Sequence, residues 1–123
     1  MIKNKTNLEN STKISKQISE LMLEKKASDI RIIDVREITT LTDYFIVCSS
    51  DSDPQTRAIC HHIEDELTND GIKPWHIEVM ENLSWVLIDY VNIVVQIFSI
   101  DSREFYDLER LWADGKITKV TDK

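Results

Sequence analysis

"SWVLIDYVNIVVQIFS", residues 84 to 99, is the stretch that decides the fold. It contains two short runs of apolar and β-branched residues, and these runs are separated by Asp89 to Asn92. β-Branched and aromatic residues favour strands, and two such runs joined by a few residues are typical of a hairpin. The stretch therefore predicts an antiparallel hairpin whose strands lie at the centre of a sheet.

Three other segments have the apolar spacing of amphipathic helices. The first runs from about residue 11 to 26, and the second runs from Pro54 to about Asn69 and is closed by Gly71. The third starts after Asp101 or Ser102 and ends near Gly115. The apolar face predicted for this third helix consists of Phe105, Leu108, Leu111 and Trp112.

Three further runs predict strands at residues 29–37, 43–49 and 73–80, with the first two paired antiparallel. The order helix, two strands, helix, three strands, helix implies an α/β fold, a mixed sheet of about five strands with helices packed on it. Because 123 residues fit one core, we expect a single domain over residues 11–115. Residues 1–10 are expected to be a disordered tail and residues 116–123 a C-terminal tail.

The composition limits the partners and the compartment. With 22 acidic and 15 basic residues, the net charge of −7 disfavours sequence-independent binding of nucleic acid and permits a basic protein partner. Cys48 and Cys60 lie in apolar stretches without C-x-x-C spacing, which is typical of reduced, buried thiols. No apolar run approaches the roughly 18 residues that span a bilayer, and the N-terminus has no signal core. We therefore expect a cytoplasmic protein.

"VCSSDSDPQT", residues 47 to 56, raises the question of catalysis because Asp51 and Asp53 follow a predicted strand. A nucleotidyl-transfer site needs carboxylates on a rigid strand face, where they hold Mg²⁺ against phosphates. Here the carboxylates come after the strand, and an acidic residue before Pro54 is a helix-start signal. We interpret Asp53 as part of a helix start and Asp51 as a loop residue.

The histidines, serines and cysteines of the chain also do not form the motif of a metal or catalytic site. His61 and Asp65 are one helical turn apart, but the consecutive His61 and His62 point about 100° apart on a helix and cannot both face one metal ion. The serines lack a Gly-rich nucleophile elbow, and Cys48 has no basic neighbour in sequence. The sequence thus predicts a protein without catalytic residues, metal ligands or a cofactor.

Two aromatic residues remain as candidates for partner binding. Trp85 and Tyr90 are five residues apart, and an odd separation places them on opposite faces of an ideal strand unless a turn or bulge twists the chain. Trp85 is either a core residue or a binding anchor, and either ring beside Asp89 has the composition of an interface hot spot. The residues alone leave these alternatives open.

Three segments together resemble the ribosomal silencing factor RsfS, or Iojap-related, family. The resemblance runs from about Leu21 to Trp112, and its most specific parts are Trp85 with Asp89 and Tyr90, and the closing segment 103–112. The three segments are "LTDYFIVCSSDSDPQTRAICHHIEDEL", "WVLIDYVNIVVQIF" and "REFYDLERLW".

The resemblance implies a non-enzymatic translational repressor. It implies binding to the large ribosomal subunit through its protein L-fourteen, steric inhibition of subunit association and lower translation under nutrient limitation. It also implies a fold related to nucleotidyltransferases without their active site, and a homodimer when free. The partner-binding residues expected from it are Trp85, Asp89, Tyr90 and Asn92.

The chain departs from the family pattern in the hairpin. Val91 and Asn92 stand where members usually have Gly-Asp, and Gln96 replaces a histidine. Valine resists the positive φ that glycine tolerates, so the turn is expected to be shifted or differently shaped. Two other functions stay open at this stage: a large-subunit assembly factor using the same surface, and a divergent metal-dependent nucleotidyltransferase using Asp51 and Asp53.

Overall fold

The computed structural model describes residues 5–105 and 115–121. The helices and strands of these residues follow the chain in the order α1 (Lys5–Glu24), β1 (Ser28–Asp34), β2 (Tyr44–Ser50), α2 (Asp53–Asn69), β3 (His76–Val79), β4 (Trp85–Asp89), β5 (Ile93–Ser99), α3 (Ile100–Phe105) and β6 (Lys116–Val120), with a 3₁₀ turn at Glu81–Leu83. The strands form one sheet in the order β3-β4-β5-β2-β1-β6. The predicted α/β fold with a mixed sheet is confirmed, but the sheet has six strands instead of about five.

The strand pairing follows the two predicted antiparallel pairs. β1 pairs antiparallel with β2, and β4 with β5, where Trp85 lies opposite Phe98 and Asp89 opposite Val94. β2 and β5 are parallel neighbours, and the chain between them passes through α2, β3 and β4. This crossover places the hairpin strand β5 beside β2 in the middle of the sheet, as the β-branched runs predicted.

Helix α1 begins at Lys5, earlier than the predicted start near residue 11, so residues 5–10 are helical instead of belonging to a tail. The side chains of Ser11, Ser15 and Ser19 are buried along one face, beside the apolar stripe of Ile18 and Met22. Small hydroxyl residues at a four-residue spacing allow close packing but add nothing to an apolar pattern. The apolar stripe begins at Ile14, so it marked the helix only from about residue 11 onward.

The C-terminal residues also differ from the expectation. Residues 116–120, predicted as part of a tail, form the edge strand β6, which pairs antiparallel with β1 from Ile30↔Val120 to Asp34↔Lys116. Four of its five side chains are exposed, so backbone pairing and not burial holds the strand. Helix α3 begins at Ile100, two residues before the earliest predicted start at Ser102, and the part of the predicted third helix after residue 105 lies outside the described residues.

The sheet has apolar side chains on both faces. On the helix-covered face, residues of α1 and α2 pack on strand residues that include Ile46, Ile88 and Val95. On the opposite face, a smaller cluster contains Ile33, Val35, Val47 and Phe98, with Phe45 and Trp85 packed against it. No helix among the described residues is long and apolar enough to cross a membrane.

Candidate functional site

The turn of the β4–β5 hairpin is a strained γ-turn centred on Val91. Val91 has a φ of +76°, and the Asn92 backbone N–H donates to the Tyr90 carbonyl at 3.0 Å, two residues back. Asp89 stabilises the turn, since its Oδ1 accepts from the Val91 N–H at 2.7 Å. A β-branched residue with positive φ is sterically disfavoured. The γ-turn, residues 90–92, lies within the predicted segment Asp89 to Asn92, and valine adopts the conformation that glycine tolerates.

Asn92 joins this turn to the neighbouring strand. Its carbonyl accepts the backbone N–H groups of Asp43 at 2.8 Å and of Tyr44 at 3.3 Å. Both contacts use the backbone, and the Asn92 side chain is half-buried. The hairpin end and the start of β2 are therefore held as one unit.

Trp85 lies half-buried on the opposite face of the sheet. Its ring stacks on Phe98 with centroids 5.8 Å apart and an interplanar angle of 4°. Its Nε1–H donates to Oε1 of Gln96 at 3.1 Å. Gln96 is 4% exposed, so this hydrogen bond satisfies a buried amide oxygen. Trp85 therefore has a structural role, and the exposed part of its ring is accessible to a partner.

Tyr90 lies on the helix-covered face, packed against the main core. Its hydroxyl is buried and has no hydrogen-bond partner among the described residues. Burial, reinforced by the charge of Glu64, raises the pKa of Tyr90 well above its usual range. The structure thus separates Trp85 and Tyr90, which lie on opposite faces as the odd spacing predicted for an ideal strand.

A groove of about 580 Å³ lies beside the hairpin on the opposite face. Asp89 lines it, whereas Trp85, Tyr90 and Asn92 do not. Two of its lining residues are very exposed, Leu41 at 83% and Trp75 at 75%. The groove is lined by Leu41, Thr42, Phe45, Trp75, Leu87, Asp89, Val91, Val94 and Gln96.

The exposure of Leu41 and Trp75 was not predicted from the sequence. Trp75 follows Pro74 just before β3, and its N–H donates to the Asp89 carbonyl at 2.8 Å. A single tryptophan before a short strand carries no periodic signal that separates an exposed ring from a buried one. One sequence feature did indicate exposure of Leu41. It lies in a Thr-rich connection, outside the predicted strands and helices whose apolar residues pack into the core.

The start of α2 answers the question raised by Asp51 and Asp53. The helix begins at Asp53, with Ser52 as N-cap: its Oγ accepts from the Gln55 N–H at 3.2 Å. Asp51 and Asp53 are both exposed, and Asp53 lies in the first turn, where its charge complements the helix dipole. The predicted helix start is confirmed, but the capping oxygen belongs to Ser52 and not to Asp53.

The two cysteine thiols are not activated as nucleophiles. Burial raises the pKa of the Cys60 thiol to about 12 and that of Cys48 further still, so both thiols stay protonated. His62 pairs with Glu24 at 2.6 Å, and His61 is exposed. No group of three or more His, Cys, Asp or Glu residues within 5–105 and 115–121 is placed to hold a metal ion.

A family model described as "Ribosomal silencing factor during starvation", RsfS, matches residues 8–123. The chain belongs to the RsfS family. It is 36% identical to the ribosomal silencing factor RsfS of Bacillus subtilis over 97 residues, 79% of this chain and 82% of the relative.

Two further similarities bear on the fold and the function. A crystal structure of a protein from Chromobacterium violaceum matches with a TM-score of 0.79 and 30% identity, over 90% of this chain and 92% of that one. A mouse protein named "Mitochondrial assembly of ribosomal large subunit protein 1" is 28% identical over 95 residues, 75% of this chain and 42% of the relative. The RsfS resemblance, identified from the hairpin and the closing segment, is confirmed.

Proposed function

We propose that this protein is a ribosomal silencing factor that binds the large ribosomal subunit through its protein L-fourteen. Bound there, it sterically blocks association of the small subunit and represses translation when nutrients are limiting. The observation that carries the proposal is the family match over residues 8–123, whose description specifies starvation. A regulatory role of this kind requires no catalysis, and the proposed protein is not an enzyme.

The face of the sheet that carries Trp85 and Asp89 is the proposed docking surface. Asp89 uses one carboxylate oxygen to hold the Val91 N–H, which leaves the other oxygen to accept from a Lys or Arg of a basic partner. Trp85 contributes the exposed part of its ring. Tyr90 and Asn92 support this surface without forming part of it. Tyr90 packs against the core, and the Asn92 carbonyl hydrogen-bonds to the start of β2.

The proposal is tested by co-sedimentation with separated ribosomal subunits. Wild type is expected to migrate with the large subunit alone and to reduce the fraction of joined ribosomes when small subunits are added. Asp89→Lys places a cation against the proposed basic partner and is expected to weaken binding at least about tenfold, since like charges across an interface cost several kcal/mol. Glu37→Lys, at an exposed position outside the groove, makes the same charge change and serves as control.

Binding by wild type and Glu37→Lys but not by Asp89→Lys supports the proposed surface. Equal binding by all three proteins contradicts it. Since Asp89 also holds the Val91 N–H, thermal melts of each variant are needed to separate lost contacts from an altered turn. Migration with the small subunit, or with neither subunit, contradicts the silencing role itself.

A second candidate function is assembly of the large subunit, which the name of the mouse relative favours. An assembly factor binds immature particles, whereas a silencing factor binds mature large subunits. Deletion of the gene separates the two roles. Accumulation of large-subunit precursors during rapid growth supports assembly, and normal particles with excess translation during starvation support silencing.

The free protein is proposed to be a cytoplasmic homodimer. The edge strand β3 offers a physical reason, since Ile77, Val79 and the following Met80 are exposed large apolar residues. Sedimentation equilibrium of the purified protein measures the association directly. A single species with the 14.4 kDa mass of the chain at all concentrations contradicts the dimer.

A further inference from the structure

Two of the most exposed large apolar side chains of the described residues meet at one groove. Leu41 is 83% exposed and Trp75 is 75% exposed, and both line the groove beside the hairpin. Leu41 comes from the connection between β1 and β2, whereas Trp75 comes from the residue before β3. Contributions from two separate loops to one concave surface are typical of a binding site rather than of scattered surface apolar residues.

The chemistry of the groove selects its occupant. Most of its lining is apolar, and Asp89 is the only charged residue among the described residues that line it. The net charge of the chain is −7, which steers basic proteins towards the surface and disfavours anionic ligands. A complementary occupant therefore carries a large apolar side chain next to a Lys or Arg.

Trp75 and Trp85 differ in what they are able to contribute to binding. Trp85 is half-buried, stacked on Phe98 and hydrogen-bonded to Gln96, so its ring already has intramolecular contacts. The ring of Trp75 has one described aromatic neighbour, His76, at a centroid distance of 6.0 Å and a tilt of 59°. An exposed tryptophan beside a concave apolar surface gains much more buried area on association.

We propose that Trp75 and Leu41 are the principal apolar anchors of the partner-binding surface. They contact an apolar side chain of the basic ribosomal protein on both sides, while Asp89, which also lines the groove, accepts a hydrogen bond from a neighbouring Lys or Arg. This inference rests on the proposed function and deepens it, because it moves the energetic centre of the interface from Trp85 to the groove. The backbone contact of Trp75 to the Asp89 carbonyl fixes the tryptophan main chain beside that carboxylate residue.

The test measures affinity of the variants for purified large subunits at one fixed salt concentration. Trp75→Ala is expected to weaken binding about 30-fold or more, the effect of removing an interface hot spot. The N–H of residue 75 and its bond to Asp89 persist in this variant. Ile100→Ala is the control: Ile100 is a large apolar residue, is 46% exposed and does not line the groove. It is expected to bind within about twofold of wild type.

Leu41 tests the charge of the occupant. Its side chain is so exposed that Leu41→Lys and Leu41→Glu both leave the fold intact. If the occupant is basic, Leu41→Lys weakens binding more than Leu41→Glu, because both lose the same apolar contact but only the lysine adds repulsion. Equal losses, or a larger loss with glutamate, overturn a basic occupant.

The outcomes separate this inference from the proposed function. Wild-type binding that Trp75→Ala leaves within about twofold overturns the anchor role and leaves silencing standing. Failure of wild type to bind large subunits overturns both. If Trp75→Ala abolishes self-association of the free protein but not subunit binding, the groove belongs to a second copy of this chain and the inference is again wrong.

Discussion

Val91 is the residue at which sequence and conformation conflict most clearly. Val91 has a backbone φ of +76°, a conformation that glycine tolerates and that β-branched residues disfavour. The neighbouring contacts hold the conformation: Asp89 accepts from the Val91 N–H, and the Asn92 carbonyl accepts from two residues at the start of β2. The turn is therefore determined by its surroundings and not by the preference of valine.

Replacement of Val91 by glycine is expected to stabilise the protein by about 1 kcal/mol. Relief of strain at a positive-φ β-branched residue contributes about 1–3 kcal/mol, and the greater freedom of glycine in the unfolded chain offsets about 0.4–1 kcal/mol of it. Urea denaturation measures the change as a higher midpoint with an unchanged slope. Asn92→Gly, where φ is not positive, is the control and is expected to lower the midpoint. A lower midpoint for Val91→Gly would contradict the strain.

The residues around the hairpin differ in whether local sequence patterns predict their positions. The separation of Trp85 from Tyr90 followed from strand alternation, which is a local property, whereas the role of Asp89 in partner binding was expected from the family resemblance and stays a prediction. The exposure of Trp75 and Leu41 depends on how two distant connections meet across the sheet. No local pattern encodes that meeting, so the groove itself emerged only from the fold.

Among the elements, α2 was predicted most completely because its signals are local and mutually consistent. A helix-start proline, apolar residues Ile59, Ile63 and Leu67 on one face, and Gly71 with a φ of +82° mark its whole length. Gln55 adds a contact that sequence spacing does not reveal: its Nε2 donates to the carbonyls of Lys25 and Lys26, at the end of α1. Gln55 thereby links the start of α2 to the end of α1, and it satisfies backbone carbonyls that the end of a helix leaves without an intrahelical partner.

Ser52→Ala is expected to destabilise the protein by about 1 kcal/mol, because the Gln55 N–H loses its side-chain acceptor at the N-terminus of α2. The free energy of unfolding in urea measures this loss. Asp51→Ala is the neighbouring control and is expected to stay within about 0.5 kcal/mol of wild type, since its side chain is exposed and its backbone N–H bond to Gln55 remains. A larger loss for Asp51→Ala than for Ser52→Ala would mean that the acidic loop, and not the serine, stabilises the helix start.

The segments that the sequence did not predict are β6 and the first residues of α1. β6 has mostly exposed side chains, and residues 5–10 precede Ile14, the first residue of the apolar stripe that predicted the helix. Both elements depend on long-range partners: β6 on the free edge of β1, and α1 on close approach to the sheet. Amphipathic periodicity detects contributions to a core, and these segments contribute little apolar area to it.

At the scale of the whole molecule, silencing by steric exclusion and catalytic action on ribosomes predict different kinetics of inhibition. In the proposed mechanism the protein occupies one face of the large subunit, so it competes with the small subunit only while that face is free. The net charge of −7 adds a salt dependence, because attraction to a basic ribosomal protein is screened as ionic strength rises. Binding is therefore expected to be stoichiometric, reversible and weaker in high salt.

An order-of-addition experiment tests this mechanism. Protein mixed with large subunits before small subunits are added is expected to prevent joining in proportion to its occupancy, with saturation near one copy per large subunit. Protein added after joining is expected to act only as fast as ribosomes spontaneously dissociate, since the docking face is covered in the joined particle. Light scattering follows joined ribosomes in both orders, with Asp89→Lys as the binding-deficient comparison. Substoichiometric inhibition, or equal rates in both orders, would mean that the protein modifies or actively splits ribosomes instead of excluding the small subunit.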